Sequence, residues 1–255
     1  MGYPKDVLST RSVIKTGLYA VIPPEGLVKN VVPGLEGCEV SIIASPKLGA
    51  GFAQYMVHIP EILKKDANVK GKDDVEIFMY CINGDGYWTV DGEKVDMVSG
   101  AYIYVPCGKD LSFNITGTKQ TDLILYKQKY TKLEEQPYPP IVTGNVYDME
   151  YENYDGMENV QIKDLLPKDL RFDMNMHILS FLPGGCHPFV ETHVQEHGAY
   201  ILEGEGMYLL DNEWMPIKKE DFIWFGAYVT QGAYGVGRER FTYIYSKDCN
   251  RDVEL

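Results

Sequence analysis

The run YILEGEGMYLLD at residues 200–211 decides the fold, because two short apolar and aromatic segments flank a glycine-rich turn. Runs of this kind, separated by Gly and Asp-Asn turn signals, are typical of β-strands. The same arrangement occurs earlier in the chain. When Gly84 is aligned with Gly204, residues 80–108 (YCINGDGYWTVDGEKVDMVSGAYIYVPCG) align with residues 200–228 without a gap. An ungapped match of this length indicates two copies of one β domain.

The rest of the chain agrees with this pattern. Further β-rich runs such as EVSIIAS, LILYKQKY and FTYIYSKD are separated by turn signals, and the only helical candidates are the short stretches 61–66 and 161–170. The pattern predicts an all-β protein built as a sandwich or a barrel. The proline-rich segment EEQPYPPIVTGN at 134–145 is the natural linker. We therefore expect an N-terminal domain at residues 1–135 and a C-terminal domain at residues 136–255.

Composition and charge narrow the range of functions. The chain has 255 residues, of which 45% are hydrophobic and 24% charged, as is ordinary for a soluble globular protein. Its formal net charge is −13, and no cluster of Lys and Arg stands out. A phosphate backbone or an anionic membrane surface would be repelled, so we expect neither nucleic acid nor membrane as a partner.

The cysteines and the first residues bear on location. Five cysteines are scattered singly with no C-x-x-C pair, which favours free thiols in a reducing cytoplasm over a disulfide framework. The first residues form no apolar leader, and no apolar stretch is long enough to span a bilayer. We therefore expect a cytoplasmic protein.

Residues 191–197, ETHVQEH, are rich in potential metal ligands. His193, Glu196 and His197 spell H-x-x-E-H, a zinc motif of metalloproteases that requires a helix. The preceding FLPGGCHPFV holds two prolines and two glycines, and a β-rich run follows, so neither flank supports a long helix. In an extended segment Glu191, His193 and His197 have the same parity and project to one side. We therefore expect a strand at this position.

The spacing around these residues resembles the first cupin motif, G-x5-H-x-H-x3-E-x6-G, with Gly185 and Gly204 at its ends and Glu and His in exchanged slots. The second cupin motif, G-x5-P-x-G-x2-H-x3-N, maps onto residues 220–235 and places Gln231 in its histidine slot. The resemblance implies a bicupin, with two tandem jelly-roll β-barrels. It implies four metal ligands: Glu191, His193, His197 and Gln231.

The first copy of the repeat serves as an internal control. Its equivalents of His197 and Gln231 are Ile77 and Leu111, which have no metal-binding atoms. We therefore expect the N-terminal barrel to be metal-free and the C-terminal barrel to hold the site. His177, in the run MNMHILSF, is expected to be a buried wall residue.

The ligand types narrow the choice of ion. Two imidazoles with a carboxylate and an amide oxygen, and no thiolate, suit Mn²⁺ or Fe²⁺ better than copper or structural zinc. The alternative that remains open is a group of polar residues at the barrel mouth that binds no metal.

Several longer phrases resemble one bicupin family, the (S)-ureidoglycine aminohydrolases of purine (allantoin) degradation. They cover essentially the whole chain and include GLVKNVVPG, SPKLGAGF, RFDMNMHILSF, ETHVQEHGAYIL and YIYSKDCNRDVEL. The resemblance implies a homo-oligomeric, Mn²⁺-dependent hydrolase. Such an enzyme would take a small ureido substrate, (S)-ureidoglycine, and release ammonia to give (S)-ureidoglycolate.

The resemblance also implies residue roles. Family substrate contacts carry over to Glu191, Gln231, Tyr243 and Lys247, with Tyr208 as a further wall residue. Glu191 would both ligate the metal and shuttle a proton, and Lys247 would pair with the substrate carboxylate, so both are expected to be catalytic. Tyr243 and Lys247 have the same parity along one predicted strand, which allows both side chains to face one cavity.

Two other functions stay open from the sequence. The glutamine in place of a histidine favours a non-catalytic bicupin that binds a small ligand, since weaker ligation is typical of a decayed site. A cupin dioxygenase that uses Fe²⁺ is the other possibility, although an oxygen-activating iron site more usually keeps three histidines.

Overall fold

The computed structural model describes residues 10–60, 62–63, 65–69, 74–117, 120–248 and 251–253. Strands dominate it. The first eleven strands are β1 (Val13–Lys15), β2 (Tyr19–Ile22), β3 (Glu39–Ala44), β4 (Phe52–Ile59), β5 (Ala67–Val69), β6 (Val75–Asn83), β7 (Asp85–Val90), β8 (Glu93–Val98), β9 (Ala101–Val105), β10 (Leu111–Ile115) and β11 (Thr121–Lys129). The next ten are β12 (Val142–Asn145), β13 (Glu152–Asn153), β14 (Val160–Asp164), β15 (Met174–Phe181), β16 (His197–Glu203), β17 (Glu205–Leu210), β18 (Glu213–Lys218), β19 (Phe222–Phe225), β20 (Gln231–Val236) and β21 (Phe241–Asp248). Short 3₁₀ helices lie at Pro24–Gly26, Val146–Asp148 and Tyr154–Gly156.

The strands form two barrels, each made of a large and a small antiparallel sheet. In the first barrel, a six-stranded sheet of order β12-β9-β6-β11-β4-β3 accompanies a four-stranded sheet of order β5-β10-β7-β8. In the second, an eight-stranded sheet of order β1-β2-β19-β16-β21-β15-β14-β13 accompanies a three-stranded sheet of order β18-β17-β20. The predicted all-β architecture of two tandem barrels is confirmed.

The repeat seen in the sequence recurs in the strands. β7 and β8 match β17 and β18 residue for residue, at the spacing that separates Gly84 from Gly204. The turns between them also match, since Asp91 has φ 51° and Asp211 has φ 49°. Both aspartates occupy the left-handed region, which Asp tolerates better than most residues.

Three apolar cores organise the molecule. One fills the first barrel and includes Ile77 and Leu111, both fully buried, so the positions equivalent to His197 and Gln231 are occupied by packed aliphatic side chains. A second core fills the second barrel. The third lies between the two large sheets and draws residues from both halves of the chain. The two barrels therefore share a continuous apolar interface.

Strand β15 shows how the sequence serves two cores at once. Met174, Met176 and Ile178 belong to the core between the barrels, whereas Leu179 and Phe181 belong to the core of the second barrel. Alternate residues of a strand face opposite sides of the sheet. A strand buried on both faces therefore reads as a continuous apolar run.

Sheet membership departs from the predicted division of the chain at residues 135 and 136. β1 and β2 lie in the second barrel, where β2 pairs with β19, and β12 lies in the first barrel, where it pairs with β9. Without these partners, one edge of β19 and one edge of β9 would present unpaired N–H and C=O groups. The barrels thus exchange strands, and each covers an edge of the other.

One ion pair accompanies this exchange. Arg11, just before β1, donates from Nη1 and Nη2 to the carboxylate of Asp221 at 3.0 and 2.7 Å. Asp221 is fully buried. A bidentate Arg–carboxylate pair is among the stronger and more directional side-chain contacts.

The predicted helix at 161–170 is wrong. Residues 160–164 form β14, which pairs with β15, and no helix follows. The pairing with β15 overrides the local helical pattern. For the stretch 61–66, Glu61 and Lys64 lie outside the described residues, and the described members are not helical.

The four described cysteines, Cys38, Cys81, Cys107 and Cys186, are free thiols, as expected, and Cys249 lies outside the described residues. Within the described part of the chain, no helix has the length and apolar character needed to cross a membrane.

We predict that Tyr19→Ala destabilises the protein by about 3–5 kcal/mol, because an aromatic side chain buried in the second barrel is deleted. The free energy of unfolding in urea measures this. Ile14→Ala is the matched control on β1, where the side chain is 50% exposed, and a change within about 0.5 kcal/mol is expected there. Equal effects of the two substitutions would contradict the packing of the N-terminal strands into the second barrel.

Candidate metal centre

A cavity of about 410 Å³ lies in the second barrel. Its walls include all the residues that the sequence pointed to: Glu191, His193, His197, Tyr208, Gln231, Tyr243 and Lys247. They come from β16, β17, β20, β21 and the segment before β16. The structure therefore brings together in one place the side chains predicted from four separate stretches of sequence.

Two backbone hydrogen bonds join the two motif regions. Glu191 N donates to Gln231 O at 2.8 Å, and Gln231 N donates to Glu191 O at 2.9 Å, so the two residues form a single antiparallel bridge. This bridge sets the carboxylate and the amide side by side. Their side chains also meet, since Gln231 Nε2 donates to Glu191 Oε2 at 3.2 Å.

The segment between Glu191 and His197 is not helical, which excludes the metalloprotease interpretation. The predicted strand is present only in part. Glu191 lies in its bridge and His197 begins β16, while residues 192–196 form an irregular segment that bends at Val194. His193 therefore reaches the cavity from a loop, a position that residue parity alone did not predict.

Each imidazole is oriented by a backbone carbonyl. Nδ1 of His197 lies 2.7 Å from Ser246 O, and Nδ1 of His193 lies 3.1 Å from Gln195 O. A carbonyl oxygen only accepts hydrogen bonds, so in both rings Nδ1 carries the proton. The unprotonated Nε2 atoms of the two rings then face each other at 3.3 Å.

This arrangement favours a cation between the rings. Burial lowers the pKa of the His193 imidazole, and it holds the pKa of the fully buried His197 imidazole well below its ordinary value. Both rings are therefore neutral near pH 7, and their lone pairs repel each other. Two ligand atoms about 2.1 Å from one ion and at right angles to each other lie about 3 Å apart, close to the separation seen here.

Gln231 completes the donor set after a turn of its amide. Its Nε2 lies 3.0 Å from His193 Nε2, and its Oε1 accepts from the Tyr208 hydroxyl at 2.8 Å. Amide nitrogen and oxygen occupy nearly equivalent positions, so a 180° turn places Oε1 toward the imidazole and the carboxylate. The Tyr208 hydroxyl both donates and accepts, and it serves either orientation.

Among the described residues, no group of three or more His, Cys, Asp or Glu side chains is arranged to hold a metal by itself. Here the Gln231 amide lies between the Glu191 carboxylate and the His193 imidazole. A donor set made of His, Cys, Asp and Glu alone therefore leaves out one of the four proposed ligands. The facing Nε2 atoms of His193 and His197 offer two nitrogen donors to one cation, and the carboxylate and the amide offer oxygens beside them. The residues present fit a divalent ion bound by nitrogen and oxygen.

The Glu191 carboxylate has a second partner that the sequence did not indicate. Tyr154, in the 3₁₀ helix Tyr154–Gly156, donates its hydroxyl to Glu191 Oε1 at 3.2 Å. Burial raises the pKa of Glu191, and the hydrogen bond from Tyr154 and the charge of Lys247 oppose that rise. No motif reaches Tyr154, so no sequence signal could have identified it.

The remaining wall is aromatic, with one cation. Tyr208, Tyr243 and Tyr245 lie in ring contact, and burial raises the pKa of each phenol, so all three are neutral donors. Among the described residues that line the cavity, Lys247 is the one that carries a positive charge. The cavity therefore combines a metal-type donor set with a cationic wall suited to an anionic ligand.

Two other histidines lie near the site. His177, expected as a buried wall residue, is buried with Nδ1 2.6 Å from Asp164 Oδ1 and its ring stacked on Tyr245. His187, which the sequence did not single out, lines the cavity, and its Nδ1 accepts from Ala233 N at 3.0 Å.

We predict that His187 makes the metal-free protein less stable in acid. Burial lowers its pKa from 6.5 to about 4. The unfolded chain therefore binds the proton first as the pH falls, and stability is lost between about pH 6.5 and pH 4. Unfolding in urea with a chelator should show a loss of about 2 kcal/mol from this group between pH 6.5 and pH 5. His187→Asn keeps an acceptor for the Ala233 amide and should flatten the slope. A slope equal to that of the unmodified protein would contradict the prediction.

Known proteins share much of this sequence and its fold. No protein-family model matches the sequence. The chain is 47% identical over 255 residues to the (S)-ureidoglycine aminohydrolase of Escherichia coli strain K12, with 100% of this chain and 97% of that protein covered. The crystal structure of the protein Ylba from E. coli is 44% identical, with a TM-score of 0.86 and both chains fully covered.

A more distant structure supports the fold alone. The cupin 2 conserved barrel domain protein from Leptotrichia buccalis is 16% identical, with a TM-score of 0.63 over 92% of this chain and 99% of that one. The fold is thus that of tandem cupin barrels. With nearly half of its residues identical over the full length of a curated relative, this chain belongs to the (S)-ureidoglycine aminohydrolase family.

Proposed function

We propose that the protein is a Mn²⁺-dependent hydrolase that converts (S)-ureidoglycine and water to (S)-ureidoglycolate and ammonia. Membership of the family supports the reaction. The observation that carries the metal dependence is the pair of unprotonated Nε2 atoms of His193 and His197, 3.3 Å apart beside a carboxylate and an amide. The N-terminal barrel is part of this proposal as a metal-free domain, since Ile77 and Leu111 fill the equivalent positions.

The donor set favours Mn²⁺ over softer ions. Imidazole nitrogens, a carboxylate and an amide oxygen, without a thiolate, suit Mn²⁺ and Fe²⁺. The residues that would hold the ion are Glu191, His193, His197 and Gln231. When bound, Mn²⁺ would act as a Lewis acid toward the groups attached to the reacting carbon. It would thereby help to determine which C–N bond breaks.

Lys247 is assigned to the substrate carboxylate. In ureidoglycine one carbon carries a carboxylate, an amine and a ureido group, and the carboxylate is the substrate's anionic end. Lys247 makes no ion pair with another described residue, so its ammonium is available to an anion in the cavity. This contact would orient the substrate with its central carbon toward the two imidazoles.

Glu191 is assigned to proton transfer. The reaction forms a bond between the central carbon and a water oxygen, breaks the bond to the amine nitrogen, and moves a proton from water to the departing nitrogen. Burial raises the pKa of the Glu191 carboxyl, which makes its carboxylate a stronger base for that proton. Tyr154 holds Oε1 at 3.2 Å and thereby orients the group.

The buried phenols are assigned to the ureido end. Burial keeps Tyr208 and Tyr243 protonated, so each offers an O–H donor in the cavity wall. The Tyr208 hydroxyl is hydrogen-bonded to the Gln231 side chain in either orientation of the amide, and the Tyr243 ring contacts the Tyr208 ring. Tyr243 is therefore the phenol that we place against the ureido carbonyl.

The proposal also includes a cytoplasmic, homo-oligomeric protein with no nucleic-acid or membrane partner, in line with its net charge of −13.

We predict that Glu191→Ala retains the fold but loses both bound metal and turnover. A ligand oxygen and the proton carrier disappear together, so ammonia release from freshly prepared ureidoglycine should fall by roughly 100-fold or more. Metal content and ammonia are measured on the same Mn²⁺-loaded sample. Glu239→Ala, an exposed carboxylate in the same barrel, is the control and should behave like the unmodified protein.

The same assay separates the other functions. If the Mn²⁺-loaded protein released ammonia no faster than the substrate does spontaneously, the hydrolase proposal would be wrong and a small-ligand-binding bicupin would be favoured. Oxygen consumption after loading with Fe²⁺ would favour a dioxygenase. Normal turnover in Glu191→Ala would show that the site has been assigned to the wrong residues.

We predict that Lys247→Met raises KM by roughly 10- to 100-fold, as expected for the loss of a hydrogen bond to a charged group. Bound metal should be unchanged, because the ammonium is not a ligand. Lys127→Met is the matched control, since Lys127 occupies the equivalent position in the first barrel and lies over the ring of Tyr55. A KM unchanged by Lys247→Met would remove this residue from substrate binding.

A further inference from the structure

Of the three residues that define the H-x-x-E-H stretch, Glu196 is the one to which the proposed function gives no role. Glu196 lies directly before His197, in the irregular segment that also carries His193. It is not among the residues that line the cavity. Its carboxylate instead lies between the two barrels, with one oxygen toward each.

Glu196 bonds to both halves of the molecule. Oε1 accepts from the backbone amide of Gly51, directly before β4 of the first barrel, at 2.7 Å. Oε2 accepts from Trp224 Nε1, on β19 of the second barrel, at 2.9 Å. Trp224 is fully buried in the core between the barrels. The carboxylate therefore fixes the segment before His197 against a rigid part of the interface.

The residue on the other side of His197 also touches the first barrel. A Cβ atom placed on Gly198 would lie 2.4 Å from Gln54 Oε1 and 2.7 Å from the Phe52 ring. Both neighbours are fully or almost fully buried. Only glycine allows this close approach of β16 to β4.

His197 is therefore bracketed by residues 51–54 of the first barrel. Glu196 before it and Gly198 after it are both in contact with that short stretch, and Gly198 N also donates to Ser246 Oγ at 3.1 Å. The ring itself is oriented by Ser246 O through Nδ1. Groups that hold a ligand in place affect metal affinity although they never touch the ion.

We propose that Glu196 is a positioning residue through which the first barrel sets the spacing of His193 and His197, so that the metal-free barrel acts on the centre in the second. The inference rests on the proposed function for the identity of the ion. The apolar core of the N-terminal barrel leaves no room for a metal site of its own, and this inference gives that barrel an indirect role in the reaction.

The test compares Glu196→Ala and Glu196→Gln with the unmodified chain in direct titration with Mn²⁺. Glu196→Ala removes the hydrogen bonds to Gly51 and Trp224 and should raise the dissociation constant for Mn²⁺ roughly tenfold or more. Glu196→Gln keeps one acceptor and places an NH₂ group against the second donor, so an intermediate rise is expected. In both variants, excess Mn²⁺ should restore most of kcat, because the residue does not touch substrate.

Tyr130→Phe is the matched control. Tyr130 follows β11 in the first barrel, and its hydroxyl donates to Arg171 O, next to β15, at 3.0 Å. The substitution therefore also removes a hydrogen bond between the barrels. Unlike the site residues, Tyr130 does not line the cavity. It should leave the affinity for Mn²⁺ unchanged. If Glu196→Ala and Tyr130→Phe both bind Mn²⁺ as the unmodified chain does, Glu196 is merely structural and the inference is overturned.

A second readout needs no metal. The chain has five histidines, so ¹⁵N-histidine labelling gives a countable set of imidazole signals in the chelated protein. Glu196→Ala should shift the signals of His193 and His197 and leave that of His58, on β4 of the first barrel, in place. Unshifted signals would overturn the inference even if the fold were slightly destabilised. If the unmodified chain bound no Mn²⁺ while the signals still shifted, the proposed metal would be wrong and the positioning role would stand.

Discussion

The site depends on the backbone bridge between Glu191 and Gln231. Two hydrogen bonds of 2.8 and 2.9 Å join residues far apart in sequence and place a carboxylate next to an amide. The irregular segment that follows then brings His193 back toward His197, so their Nε2 atoms face each other at 3.3 Å. Because backbone hydrogen bonds resist sliding between neighbouring strands, this bridge fixes the register of Glu191 and Gln231.

The two barrels are not independent modules. Each supplies strands that cover an edge of the other, and a third apolar core lies between their large sheets. Burying both faces of strands such as β15 removes more apolar area from water than either barrel would remove alone. The same interface reaches the candidate metal centre, since Gly51 and Gln54 contact the neighbours of His197. On the proposed positioning role of Glu196, the first barrel contributes to the geometry of a site in the second.

Much of this was readable in the sequence because the signals are local and periodic. The ungapped repeat around Gly84 and Gly204 predicted two β domains, and the strand bounds follow that spacing. The helix expected at 161–170 failed because local propensity is weak against pairing with a neighbouring strand, here β15. The predicted strand is present at Glu191 and from His197 onward and is interrupted at residues 192–196, although His193 lines the same cavity as the other two.

The sequence by itself determined the residue types of the site, the class of fold and the replacement of His197 and Gln231 by Ile77 and Leu111 in the first copy. Those properties follow from the identity and spacing of the side chains, which do not depend on how the strands are arranged into barrels. Only the tertiary structure decided which strands complete each barrel, that Tyr154 reaches Glu191, and that Glu196 bonds to both barrels. These contacts join positions from distant parts of the chain, and their distances are set by packing against a shared core, which no local pattern encodes.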